Sequence, residues 1–191
     1  MDDRKQQIVA AAGEIFIRYG FKKTSMQDIA DAAMMSRAAL YLHFRNKEDL
    51  FRSLMQWHHA GALQEAEHAF RAPLPFAERM EAALTRFTLA LMAPVKTSAH
   101  GEELFEANMR LAPDITTATS AHLKALLQDD VALAAGRGEL SLDATGLSVA
   151  GLADLLYACV DGIKKDDNGL EKLEARVNAL MRLVAAATRP A

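Results

Sequence analysis

Residues 24–47 read TSMQDIADAAMMSRAALYLHFRNK, and the reading of this stretch decides the fold. Thr24 or Ser25 can cap a first helix by accepting from the unpaired N–H groups of its opening turn. Gln27 lies three residues beyond Thr24, the spacing of a capping box. From Met26 onward, Met26, Ile29, Ala30 and Ala33 share one helical face. Met34-Met35 then leads to Ser36, a second N-cap, ahead of Arg37-Ala38-Ala39-Leu40-Tyr41. Two helices of about two turns, three or four residues apart, make a helix-turn-helix. Arg37, Ala38 and Ala39 open the second helix, and small residues there let it sit deep in a groove.

Upstream, residues 3–19 carry Ile8, Ala11, Ala12, Ile15, Phe16 and Tyr19 on one stripe, and Gly20 is placed to end that helix. A three-helix unit follows, with a core of Ile15, Phe16, Ile29, Leu40 and Phe44. Downstream, Asn46 caps a helix whose apolar face, Leu50, Leu54 and Trp57, runs to about Phe70 before Pro73-Leu74-Pro75. Phe76, Met80, Leu84, Phe87 and Leu91 mark the next helix, up to Pro94. Others are expected from about Ser98 to Leu111, from Pro113 to Ala135, from Asp143 to Lys165 and from Leu170 to about Ala187. The turn Asp166-Asp167-Asn168-Gly169 separates the last two. The Asp143–Lys165 stretch is apolar nearly all round, which predicts burial on more than one side. These periods predict an all-α chain: a three-helix N-terminal domain over 1–47 and a larger helical domain over 48–191.

Composition agrees. The chain has 191 residues, 51% of them apolar and 6% aromatic, with ten Gly and five Pro. That suffices for a substantial core. The net charge of −3 excludes a generally basic coat, yet the charge is uneven. Arg18 to Lys47 holds six cations and two acids, whereas residues 51–191 hold 14 cations and 18 acids. A positive head on an acidic body suits a nucleic-acid reader with a separate second domain. The single Cys159 excludes an intrachain disulfide and, with a charged start lacking an apolar run, points to the cytoplasm. Ala144 to Ile163 contains Asp154 and Asp161 and reads as a buried helix rather than a membrane span.

The order Thr24-Ser25, Ile29-Ala30, Ala33, Ser36, Leu40-Tyr41, His43-Phe44 and Lys47 resembles the DNA-binding domain of the tetracycline-repressor (TetR) family of bacterial transcription regulators, over roughly residues 5–50. Two positions depart from its pattern. Met34 stands where the family usually has Gly; a positive φ there would cost a residue with a Cβ about 1–2 kcal/mol. Ala38 replaces a frequent Gly and is the better helix former. The resemblance implies a repressor that binds a palindromic operator as a homodimer and is released by a small-molecule effector. It also implies that the second motif helix enters the major groove with its N-terminal turn foremost. Arg37 could then hold guanine bidentately or hold a phosphate, while Ala38 and Ala39 offer methyl contacts or clearance. Thr24, Ser25, Ser36, Tyr41, His43 and Lys47 carry donors that the resemblance places toward the phosphate backbone.

Dimerisation is expected through the last two helices, which the family pairs into a four-helix bundle. Gly151, Leu155, Ala158 and Gly162 form one stripe, and Leu173, Val177, Leu180 and Val184 the other. Trp57, Phe87, Phe105, Met109 and Tyr157 could enclose an apolar or aromatic effector. No cofactor is expected. The chain has no HExxH, no glycine-rich phosphate loop and no GxSxG, and its six histidines do not space as a metal set, so no enzyme is predicted. Two rivals share the fold: a regulator answering to a protein partner, and a helical enzyme or interaction protein that keeps the head without reading DNA.

Overall fold

The structure, a computed structural model, describes residues 2–165 and 169–190. Among them are nine helices: α1 Asp3–Tyr19, α2 Met26–Ala32, α3 Arg37–Tyr41, α4 Lys47–Phe70, α5 Phe76–Lys96, α6 Gly101–Leu111, α7 Pro113–Gly136, α8 Val149–Lys165 and α9 Gly169–Ala187. No strand occurs among the described residues, and no helix there is long and apolar enough to cross a membrane. Of the turn expected at 166–169, Asp166, Asp167 and Asn168 lie outside the described residues.

The chain divides into two compact units. The first holds the residues up to Ala60 together with Ala93–Thr117, and the second holds Gly61–Met92 and the chain from Ala118 onward. The sequence placed a boundary at 47/48. In the structure the first unit takes in the first half of α4 and, from further along the chain, all of α6.

Three phenylalanines anchor the first unit. Phe16 and Phe51 meet edge to face at 5.5 Å, Phe21 and Phe51 at 5.0 Å, and Phe16 lies 5.5 Å from Phe21. Such pairs each add about 0.5–1.5 kcal/mol beyond the area they bury. Ile8, Val9, Ile29, Leu40, Phe44 and Leu50 complete this core, and α6 contributes Leu104 and Ala107. Of the expected core, Ile15 is only half-buried, and Tyr19 of the same stripe is exposed; Ile8, Ala12 and Phe16 of the stripe are buried, joined by Val9. Gly20 ends α1 at φ 81, where its N–H still donates to Phe16 O. Gly101 opens α6 so close to Val95 that a Cβ would come within 2.1 Å of that carbonyl oxygen.

The second unit has an aliphatic core in which Met80, Leu84, Phe87, Leu123, Leu127, Val131, Leu156 and Val177 are buried. α8 starts six residues later than the periodicity predicts. Ser148 accepts from Gly151 N–H as its cap, and Gly146 sits at φ 64 in the preceding turn. Nor is α8 covered all round: Asp154, Leu155, Ala158 and Gly162 are exposed while Leu152, Ala153, Leu156 and Val160 face the core. Pro94 does not end α5, which runs on to Lys96. The second unit also buries an ion pair. Arg79 Nε donates to Asp130 Oδ1 at 2.7 Å, both residues are at most 6% exposed, and Arg79 Nη1 donates to Leu74 O. Asp130 Oδ2 has no partner. Burial pushes the Asp130 carboxyl above its ordinary pKa, against the pull of the adjoining guanidinium.

Candidate nucleic-acid interface

The helix-turn-helix is assembled by local capping. Ser25 Oγ accepts from Asp28 N–H, and Asp28 Oδ2 accepts from Ser25 N–H at 2.8 Å. The capping box is therefore Ser25 with Asp28, one residue later than the expected Thr24 with Gln27. At the other end of α2, Met34 N–H donates to Asp31 O and Met35 N–H donates to Ala30 O. These two bonds define a Schellman motif, whose C′ residue must take a left-handed conformation. Met34 does so at φ 51, the one positive-φ residue other than glycine among those described. Its side chain is 91% exposed, so no packing compensates the strain. Ser36 then caps α3, accepting from Ala39 N–H at 3.1 Å.

α3 is five residues long and is held from behind by Leu40, which is fully buried. Arg37, Ala38 and Tyr41 consequently point outward, with Ala39 half-buried. Arg37 Nη2 donates to Tyr41 Oη at 3.3 Å, and its guanidinium carbon lies 5.6 Å from the Tyr41 ring centroid. This face offers a forked cation, a methyl and a phenol to whatever it meets.

Three of the residues expected to offer side-chain donors to phosphate are engaged within the protein. Thr24 is buried and its hydroxyl donates to Gly20 O at 2.6 Å, which corrects its expected outward role. Ser25 Oγ–H donates to Asp28 Oδ2 at 2.7 Å. Lys47 is half-buried, and its ammonium donates to Phe21 O at 2.7 Å, Thr24 O at 2.8 Å and Lys22 O at 3.4 Å, with the Phe21 ring centroid at 4.4 Å. An ammonium has three N–H bonds and here meets three carbonyls. Lys47 thus fastens the loop between α1 and α2, which is a correction to its expected phosphate contact. His43 is half-buried and lines a cleft of about 580 Å³ with Asp2, Lys5, Asp49, Ser53 and Trp57.

Other cations do face outward. Lys22 and Lys23 are exposed beside the start of α2, as is Arg45 after α3. The charge excess over residues 18–47 was the signal for them, although no capping or periodicity rule singles them out. The loop that carries Lys22 is itself held, since Lys22 N–H donates to Glu103 of α6. Nearby, Arg52 forks onto Asp114 at 2.7 and 2.8 Å and also donates to Leu111 O, which holds the Asp114 carboxyl down at about 2.

The other expected sites fare differently. Phe87 is buried in the core of the second unit, and Tyr157 is half-buried with its hydroxyl donating to Ser120 Oγ at 2.7 Å. Both rings lie within 6 Å of Lys164 Nζ. Trp57 belongs to the polar cleft of the first unit, and Phe105 and Met109 are exposed on α6. Of the five, Trp57, Phe105 and Met109 thus belong to the first unit and Phe87 and Tyr157 to the second. On α9, Leu173, Val177 and Val184 are buried within their own unit and Leu180 packs against them, so this stripe is intrachain core and not a free face. Leu183, 71% exposed, is what α9 leaves open. The α8 stripe stays accessible: Leu155, Ala158 and Gly162 are exposed and Gly151 half-buried. Among the described residues no three His, Cys, Asp or Glu are grouped so as to hold a metal ion.

A capped three-helix head with an anchored, outward-facing second motif helix defines the helix-turn-helix class of proteins. Residues 8–54 match the family described as bacterial regulatory proteins, tetR family. The chain is 33% identical over 86 residues to the HTH-type transcriptional activator FasR of Mycolicibacterium smegmatis, covering 45% of this chain and 39% of that one. It is 39% identical over 61 residues to the probable acrEF/envCD operon repressor of Escherichia coli K12, covering 32% and 27%. These matches span less than half the length of those relatives. Among solved structures, the fatty acid degradation regulator FadR from Bacillus halodurans superposes with a TM-score of 0.71 at 19% identity, over 96% of this chain and 95% of that one, which shows a shared fold. Residues 8–54 thus resemble the N-terminal domain of that family.

Proposed function

We propose that this protein regulates transcription as a homodimer that reads a palindromic operator, and that it is a repressor released by a small apolar or aromatic effector held in its C-terminal domain. The observation that carries the reading is α3: Leu40 is fully buried behind it while Arg37, Ala38 and Tyr41 stand open in front. A helix anchored this way can enter a major groove without loss of core. The relatives named as regulators of transcription support it, as does the positive charge excess around the motif.

Selection of bound DNA from a random library tests the reading directly. A two-fold symmetric motif is expected, with affinity falling about 10³–10⁵-fold between 50 and 200 mM salt if 6–10 phosphates are neutralised. Weak binding with no enriched motif overturns it. For the dimer, Leu155 on the accessible face of α8 is the residue to change: Leu155→Glu is expected to yield monomers in sedimentation, and an unchanged dimer would exclude that face. One relative is named an activator, which favours a second reading with the same DNA contact and the opposite sign. A reporter gene driven from the selected operator separates the two.

A further inference from the structure

Arg37 and Tyr41 were expected to act separately, one on a base or a phosphate and the other on a phosphate. The structure joins them. They are four residues apart on α3, so their side chains lie on one face about 40° apart. Both are exposed, yet the guanidinium lies along the Tyr41 ring, 5.6 Å from its centroid, with Nη2 donating to the phenol oxygen at 3.3 Å. The flanking residues confirm which way this face looks: Leu40 is fully buried behind it, and Ala38 beside it has no side chain able to compete for the guanidinium.

We propose that Tyr41 is a positioning residue for base recognition, holding the Arg37 guanidinium in the orientation in which it reads a guanine. The proposal rests on the DNA-reading function above and names how that site discriminates. An arginine carries five N–H donors in a rigid plane. One goes to Tyr41, and the four that remain still include the pair that a bidentate contact with guanine O6 and N7 requires. Ring and hydroxyl have separate effects. The ring limits the plane in which the guanidinium lies, by cation–π attraction, and the hydroxyl fixes its rotation within that plane. Restricting a long, flexible side chain before binding removes part of the ordering cost from the bound state, and that gain is realised only at the base Arg37 reads. A phosphate-binding tyrosine would act otherwise, since a backbone contact carries no sequence information.

The test is library selection followed by affinity measurement with wild type, Arg37→Ala, Tyr41→Phe, Tyr41→Ala and Arg37→Ala/Tyr41→Phe. Melting temperatures establish that each is folded, and both side chains are exposed, so little change is expected. Tyr41→Phe keeps the ring and loses the hydroxyl. It is expected to reduce preference at a single base pair of each half-site by about two- to tenfold, with the other positions unchanged. Tyr41→Ala is expected to approach Arg37→Ala at that same base pair. In the Arg37→Ala background, Tyr41→Phe is expected to change nothing there. The proposal is overturned if Tyr41→Phe weakens all sequences alike in both backgrounds, because that is a phosphate contact. If the wild type enriches no motif, sequence reading itself fails, and the pair loses its role with it.

Discussion

The two units place their ionic groups in opposite positions. In the first, cations and carboxylates stay near solvent and act on backbone ends: Asp28 closes the Ser25 capping box, Asn46 caps α4, and Lys47 gathers the carbonyls of Phe21, Lys22 and Thr24. Its interior is phenylalanine and aliphatic carbon. The second unit sets Arg79 against Asp130 inside its core, with Glu139 3.4 Å from the same guanidinium. Surface caps can be changed one at a time at modest cost, while a buried pair fails as a pair. The head is thus a set of fastenings around a small core, and the body is a packed bundle with a buried ionic node at Arg79 and Asp130.

That contrast can be broken most forcefully at the node. Arg79→Ala leaves the Asp130 carboxylate buried without its guanidinium and is expected to cost on the order of 3–5 kcal/mol in chemical denaturation. Arg79→Met combined with Asp130→Leu removes both charges together and is expected to recover most of that loss. If the single change costs under about 1 kcal/mol, the node is not what distinguishes the body.

The head offers the next effect. Lys47→Met removes a charged donor from three carbonyls and is expected to lower stability by about 1.5–3 kcal/mol. Because its ammonium is engaged internally, the salt dependence of DNA binding is expected to keep its wild-type slope. A slope reduced by about one per half-site would place Lys47 on a phosphate after all.

Met34→Gly is smaller and opposite in sign. Relief of the left-handed strain gains about 1–2 kcal/mol, and the greater freedom of glycine in the unfolded chain takes back about 0.5–1. A melting temperature raised by about 1–4 °C is expected. A decrease would mean that the exposed thioether has a role the structure does not show.

The smallest effect is electrostatic. Asp114 forks with Arg52 and titrates at about 2 when folded, below its ordinary 3.8. A depressed carboxylate contributes stability above the unfolded pKa and loses it as the pH falls through the folded one. The stability difference between wild type and Asp114→Asn should therefore hold steady from neutral pH to about 4 and shrink toward zero by about 2. Denaturation midpoints at a series of pH values check this, and a constant difference across that range would argue against the fork.

How far the sequence could be read follows the same division. Helix-turn-helix geometry depends on residues within six positions of one another, and most of its signals sit in the chain: Ser36 as a cap and Leu40 as an anchor, whereas the positive φ at Met34 is implied only by the resemblance, since a methionine does not announce it. Ser25 was one of the two caps offered, and the capping box itself shifted by a single residue, from Thr24 with Gln27 to Ser25 with Asp28. Lys47 escaped because its partners lie 23 to 26 residues away, and no spacing rule links a lysine to those carbonyls. In the body, Leu173, Val177 and Val184 form a stripe whose period is the same whether it faces its own core or a second chain, and only packing decided between them. The aromatic set divides between the units for a related reason. Trp57, Phe105 and Met109 share hydrophobicity with Phe87, but hydrophobicity does not say which residues converge.

The first unit closes only when Leu104 and Ala107 of α6 enter its core and Asp114 reaches Arg52, although its three-helix motif is complete by residue 47. During synthesis the head must therefore wait for the ribosome to pass from residue 60 to about residue 117, an interval on the order of 3–10 s at ordinary elongation rates. Through that interval part of its apolar core is uncovered. The newborn head is an early client for chaperones, and a fragment ending near residue 60 would keep that exposure permanently.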